Sequence, residues 1–268
     1  MATYEGIQIY DESNYQTLVS QTVDGGGQFY TGLNPESEQP LYGSSCEVRE
    51  YATVPRSEWK ERIEEKKAKG LFPGSWFERG KVKILNQRSF GYCWMYGVVG
   101  AMQLRYAMTG QVAPHLNPFF PAWLGKRGAN RGGWGGEALG YLDQFGCPME
   151  SIFPGQPTNR AAFDRHEVRE NAKLHKVWKF TELRRNSFQA LMDMWLSDDP
   201  MPVSQAYNWW GHLVYAMEPV VIGANEFGTL IGNSWGYSWG TQGRGVIAES
   251  KAAAAEQICV DMVSTVAA

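Results

Sequence analysis

The first 48 residues contain no lysine, arginine or histidine, yet they carry seven acids: Glu5, Asp11, Glu12, Asp24, Glu36, Glu38 and Glu47. A segment with that imbalance cannot neutralise itself, so it calls for a basic surface elsewhere. The first base is Arg49, and the remaining 220 residues carry a formal +4. Cysteine is also scarce. Cys46, Cys93, Cys147 and Cys259 are the only four, with no C-x-x-C pair, which excludes a disulfide scaffold and the common zinc spacings. No run of about 18 apolar residues occurs, so a membrane span is not expected. The N-terminus shows neither the basic nor the apolar part of a secretion leader, and a reducing, cytoplasmic setting is the expectation. Cys46, Cys147 and Cys259 are then expected to be free thiols that pack as small apolar groups. The net charge of −3 gives no electrostatic reason for a nucleic-acid partner. No metal or cofactor is called for.

Hydrophobic residues reach 43%, enough for a packed core, and 30 glycines accompany 11 tryptophans and 13 tyrosines. Tight turns around an aromatic-rich site are therefore expected. Helix signals run over 57–69, where Pro55 and Ser57 open the segment and Gly70 closes it, and over 93–108, closed by Thr109-Gly110. Shorter helices are expected at 137–144 and 186–196. The basic run Arg165, Arg169, Lys173, Lys176 and Lys179 reads as a solvated helix face and its continuation. Residues 118–135, with two prolines and a glycine cluster, read as loop. Residues 81–85 alternate like a short strand. After Pro200 the pattern becomes short β runs at 203–207, 212–217, 220–223, 229–232 and 244–248. Helices first and strands later imply an α+β fold with segregated layers.

Three separated segments carry chemistry. The first is Asn86-Gln87-Arg88-Ser89-Phe90-Gly91-Tyr92-Cys93-Trp94. A cysteine at a helix N-terminus feels the positive end of the dipole, which favours its thiolate. Gln87, six residues earlier, is placed to turn its amide toward an oxyanion beside that thiol. The second is Asn208-Trp209-Trp210-Gly211-His212, a histidine opening a strand after a turn. Two adjacent tryptophans cannot both point inward from a strand, so at least one is expected at a cleft or contact surface. The third is Gly232-Asn233-Ser234-Trp235-Gly236-Tyr237-Ser238-Trp239-Gly240, with Asn233 placed to accept the second ring N–H of His212 and Trp235 to shield that bond. A thiol, a base and an orienting amide form the minimum set for nucleophilic acyl transfer.

These segments together resemble the papain-like (C1 family) cysteine peptidases over most of residues 80–250. The family's local signature is C-G-[SA]-C-[WY] with His and Asn far downstream. Here Phe-Gly-Tyr-Cys-Trp is followed by His212 and Asn233, 119 and 140 residues after the cysteine. The resemblance implies a two-lobed α+β fold: an N-terminal helical lobe with the nucleophile helix, a C-terminal antiparallel β lobe, and an active-site cleft between them. It implies Cys93 as nucleophile, His212 as base and acid, Asn233 as orienter and Gln87 as oxyanion donor. Gly132, Gly133, Trp134, Trp210 and Trp235 would meet an extended peptide or protein substrate. Phe90 stands where secreted members have a disulfide cysteine, Tyr92 replaces a small residue and is expected to narrow the cleft, and only nine residues separate Pro202 from His212. The loop that shapes substrate pockets in many members is thus nearly absent.

Pro55-Arg56-Ser57-Glu58-Trp59, with Tyr-Cys-Trp and Trp-Trp-Gly-His, more narrowly resembles bacteriophage-encoded members. Two functions follow: a cysteine peptidase working through a thioester, or a structural, virion-associated subunit on the same scaffold. The division expected is an acidic arm over 1–51 and a peptidase body over 52–268. Residues 1–48 are expected to be retained and to dock on an assembly partner or a second copy.

Overall fold

The computed structural model describes residues 3–264, and in it the acidic arm carries regular structure from Thr3 onward. Strands β1 (Thr3–Tyr4) and β2 (Ile7–Tyr10) form a small antiparallel hairpin, followed by helix α1 (Gln16–Ser20). The arm then crosses the body and ends in β3 (Glu47–Val48). Next come α2 (Arg56–Ala68), α3 (Trp76–Arg79), α4 (Cys93–Met108), α5 (Phe119–Gly125), α6 (Gly135–Phe145), α7 (Arg160–Asp164) and α8 (His166–Leu174). Strand β4 (Val177–Glu182) and helix α9 (Phe188–Leu196) lead into β5 (Val203–Tyr207), β6 (His212–Gly223), β7 (Glu226–Gly232), β8 (Arg244–Ala248) and β9 (Glu256–Val263).

All nine strands join one sheet in the order β1-β2-β8-β7-β6-β5-β9-β4-β3. The pairs within the body are antiparallel. The two parallel contacts, β2 with β8 and β3 with β4, are both made by the arm. The arm is therefore tied into the sheet at both ends.

Two cores flank the sheet. On one face α4, α5 and α6 pack over Leu213, Tyr215 and Met217 of β6; on the other, α2 and α9 bring Trp59, Trp195 and Leu191 against Val214 and Ala216. The period-2 alternation of β6 sends its side chains into both cores, which explains its near-continuous apolar sequence. Helix α4 lies close on this strand because Gly97 and Gly100 face it. A Cβ at Gly97 would sit 2.2 Å from Leu213 Cδ2, and one at Gly100 would sit 2.4 Å from Tyr215 Cδ1.

Several expectations change. Residues 81–85 form no strand. The stretch 118–135 is not all loop, since α5 begins after Pro118 and takes Pro121 in its first turn, where a missing N–H costs nothing. The runs 212–217 and 220–223 are one strand, because a bulge between Ala216 and Glu218 absorbs Pro219. The basic run ends its helix at Leu174 and continues as β4. Strands β4 and β9 carried no legible alternation.

Candidate active site

Cys93 opens α4 at its N-terminus, with Tyr92 as N-cap. Four backbone amides face the thiol: those of Leu213, Trp94, Gly32 and Cys93 itself. Leu213 is the second residue of β6, so the start of that strand and the start of α4 meet at the sulfur. The four amides favour thiolate, yet burial outweighs them and pushes the thiol up to about 12, with Cys93 0% exposed. Tyr92 does not narrow the cleft: it turns inward, stacks on Phe90 and donates its hydroxyl to the Ala129 carbonyl at 2.8 Å.

His212 opens β6. Its Nε2 lies 2.7 Å from Asn233 Oδ1, and the same oxygen accepts the Ser234 backbone N–H at 2.7 Å. A backbone N–H can only donate, so the atom it meets is the amide oxygen, and Nε2 must carry the ring proton. Nδ1 is then the free lone pair, buried and without a hydrogen-bond partner among the described residues. Burial, only partly opposed by the Asn233 bond, takes the imidazole down to about 3. In this closed state the pair is a neutral thiol and a neutral imidazole.

Tryptophans wall the base. Trp235 lies 4.4 Å from the His212 ring at 30°, and Trp210 lies 4.8 Å from it. Trp235 shields the histidine as expected. Trp210 and Trp134 are both buried. Trp210 packs behind the imidazole, and Trp134 caps α6 beneath the glycine pair. Of the Trp209-Trp210 pair, Trp209 is the partly exposed one; its Nε1 donates to the Lys251 carbonyl.

Gln87 is fixed from both ends. Its backbone N–H donates to the Ser234 carbonyl at 2.8 Å, and its Oε1 accepts the Ser234 hydroxyl at 2.5 Å. Its amide nitrogen is already in use, donating to the Phe90 carbonyl at 2.8 Å and the Tyr30 carbonyl at 2.9 Å. Ser234 thus contacts the side chains of both Gln87 and Asn233. It lay inside the Asn-Ser-Trp-Gly motif, but nothing in the motif distinguished its role.

Tyr30 belongs to the arm, and so does the rest of what fills the cleft. The Tyr30 carbonyl also accepts Trp235 Nε1–H at 2.8 Å, and Phe29 stacks flat on Trp235 at 4.7 Å. Leu33 N–H donates to the Gly211 carbonyl at 3.1 Å. On the facing wall Gly133 N–H donates to the Gly32 carbonyl at 3.0 Å, and Asn34 N–H donates to the Gly133 carbonyl at 3.4 Å. Leu33 and Gly133 pair in the parallel sense. Residues 29–34 therefore form a strap from the imidazole wall to the glycine wall, directly over the thiol. Gly32 is obligatory in this path, since a Cβ there would meet the Gly91 carbonyl oxygen at 2.0 Å. Gly132 and Gly133 lie against the strap, and the backbone that Gly133 binds here is the chain's own.

No known family profile and no curated protein matches the chain by sequence. Solved structures do match. Xylellain, a cysteine protease from Xylella fastidiosa, superposes with a TM-score of 0.54 at 14% identity, covering 69% of this chain and 83% of its own. Bromelain from Ananas comosus, solved with the E64 inhibitor, gives 0.55 at 18%, covering 68% and 95%. Digestive procathepsin L 3 of Tenebrio molitor gives 0.57 at 14%, covering 91% and 78%. The fold is papain-like. At these identities the likeness carries the architecture alone. Within the papain-like frame, the thiol-bearing helix and the imidazole-bearing strand meet where the strap crosses.

Proposed function

We propose that this chain is a thiol-dependent peptide-bond hydrolase, kept closed in this state by its own residues 29–34. The observation that carries the reading is the His212 tautomer: an Nε2–H donated to Asn233 leaves Nδ1 as an unprotonated base at the start of β6, where the next residue, Leu213, turns its amide to the thiol at the N-terminus of α4. Once the strap lifts, Nδ1 takes the Cys93 proton, and the thiolate attacks the substrate carbonyl carbon. The oxyanion is met by the Cys93 N–H and by Gln87 Nε2, which loses the Tyr30 carbonyl when the strap leaves. The imidazolium returns the proton to the leaving amine as the C–N bond breaks, and a thioester remains. Nδ1 then takes a proton from water, hydroxide adds to the thioester carbonyl, and the C–S bond breaks to give the carboxylate and restore the thiol.

The strap acts as a closing element in this reading because its Gly32 amide faces the thiol and its Tyr30 carbonyl holds the Gln87 amide. A second reading has its own support: the thiol is sealed, and the strap is tethered on both sides through β2 and β3. A non-hydrolytic scaffold of the virion type would be built that way. Reaction with an active-site-directed epoxide separates the two. Stoichiometric modification of Cys93 that disappears in His212→Ala supports the hydrolase. Modification no faster than that of an ordinary thiol supports the scaffold.

A further inference from the structure

Beyond Gly132, where the strap leaves the cleft, lies a cavity of about 580 Å³ lined by Asn34, Glu38, Lys126, Arg127, Arg131 and Gly132. Three cations converge on it, and they are not equally satisfied. Lys126 is spent locally: its Nζ is 2.6 Å from Glu137 Oε1 and lies over the Trp94 ring at 4.9 Å. Arg127 and Arg131 are exposed and have no carboxylate within ion-pair distance among the described residues. The arm places Glu38 at this cavity. Residues Glu36–Glu38 form a short 3-10 turn here, and Glu38 is held by Asn34 Nδ2 at 2.9 Å rather than by either arginine. The position is set by the cleft: Gly32 lies over the thiol, Leu33 pairs with Gly133, and Asn34 lies against Gly132. A substrate replacing the strap along the same glycine edge would carry its next side chains into the two free guanidinium groups. Guanidinium groups pair with carboxylates through parallel N–H donors, which a neutral or basic side chain cannot match.

We propose that Arg127 and Arg131 form a specificity pocket for acidic side chains, so that the peptides taken by this cleft carry Asp or Glu about two to four residues from the one over Cys93, on the Gly132 side. In the closed chain Glu38 lines the same cavity but is bound by Asn34, which leaves both guanidinium groups open to a substrate carboxylate. This inference rests on the cleft being a peptide site, as proposed above, but its test does not depend on hydrolysis. Two fluorescein-labelled hexapeptides, one with Glu and one with Lys at those positions, are titrated by anisotropy against the full chain carrying Gly32→Val, to displace the strap, and Cys93→Ala. Phe29→Ala with Cys93→Ala serves as an independent loosened form should the first not fold. The Glu peptide is expected to bind about tenfold tighter, the worth of two partly exposed ion pairs, with an advantage that shrinks at high salt. Arg127→Glu with Arg131→Glu in the same background should reverse the preference. Equal binding of the two peptides, no binding of either, or a preference that survives the charge reversal would overturn the proposal. A Glu peptide that binds but is never cleaved by the same chain with Cys93 restored would leave the pocket standing and remove the hydrolase reading.

Discussion

The two ends of the strap's path contrast sharply. Over Cys93 the chain is dry and neutral, and it is held by backbone: carbonyls of residues 30 and 32 and amides of residues 33 and 34 make the contacts. Two residues further on, at Gly132, the surface is open, charged and held by side chains. A backbone-held segment can be replaced by any extended peptide, whereas a charged pocket selects among them. In the proposed reading, the same cleft separates binding in general from choice of sequence. At the dry end burial moves thiol and imidazole away from each other's range: about 12 for one, about 3 for the other.

The comparison breaks first, and most severely, at the chemistry. Cys93→Ala and His212→Ala should each lower hydrolysis by at least about 10⁴-fold, measured on any cleaved peptide in a strap-loosened chain. Cys93→Ala should cost no more than about 1 kcal/mol of stability in a urea melt, because a methyl nearly fills the space of the thiol. Gln87→Ala should cost roughly 10²–10³ in rate, the loss for one oxyanion donor, and a variant at wild-type rate would remove Gln87 from the site. Asn233→Ala should retain nucleophile and base but free the ring to turn, a loss nearer to about tenfold in turnover.

Smaller in size, but more specific to the dry end, is the effect of pH on the strap. The closed state holds His212 at about 3, well below the ordinary value of about 6.5. Protons then bind the open state in preference, and closure weakens as pH falls below about 6.5, by up to about tenfold per unit. The thiol acts in mirror image. Its closed-state value of about 12 exceeds the ordinary value of about 8.5, so alkali above that point also favours opening. Hydrogen-exchange protection of the Leu33 and Asn34 amides should therefore peak between about pH 6.5 and 8.5. The acid limb should vanish in His212→Gln. Glu218 and Glu256, buried acids held up to about 7, titrate in the opposite sense and are unchanged in that variant. A flat protection profile would contradict the buried neutral pair.

What the sequence revealed follows the same division. The helix over 93–108 and the strand over 244–248 have the bounds read from pattern, because their glycine caps and apolar runs answer to local physics. Asn233 could be placed beside His212 because a side-chain pair needs particular residue types. The strap could not be read, since most of its contacts use carbonyls and amides that every residue has; Phe29, stacked on Trp235, and Gly32, at a close approach, are its side-chain signals, and neither says much alone. Strand β9 was hidden for another reason. Its Glu256, Gln257 and Asp261 look like surface residues but are buried, with Glu256 accepting the Gly135 and Gly136 amides and Gln257 bonded to Gln205. Trp134 and Trp210 were assigned to the cleft from their neighbours in sequence, and packing took both inward. The arm's charge imbalance pointed to a basic surface, and part of that surface lies in the same chain, where Lys67 meets Glu5 at 2.8 Å and Lys251 meets Glu12 at 2.9 Å. Docking of the arm on a second copy or another partner remains a proposal, checked by whether Glu36→Lys with Glu38→Lys alters the sedimentation of the full chain.

The most direct test of a hydrolase centre under a strap is the rate at which an active-site-directed epoxide modifies Cys93, mapped by mass spectrometry, in the full chain and in Gly32→Val. The Cβ of valine would collide with the Gly91 carbonyl, so the strap should leave the thiol. The account predicts slow modification of the unaltered chain and a rise of about a hundredfold in Gly32→Val, the equivalent of about 2.7 kcal/mol of closure lost, with the rise abolished by adding His212→Ala. Cys93 reacting at the same rate in both chains, or at a rate indifferent to His212, would contradict it.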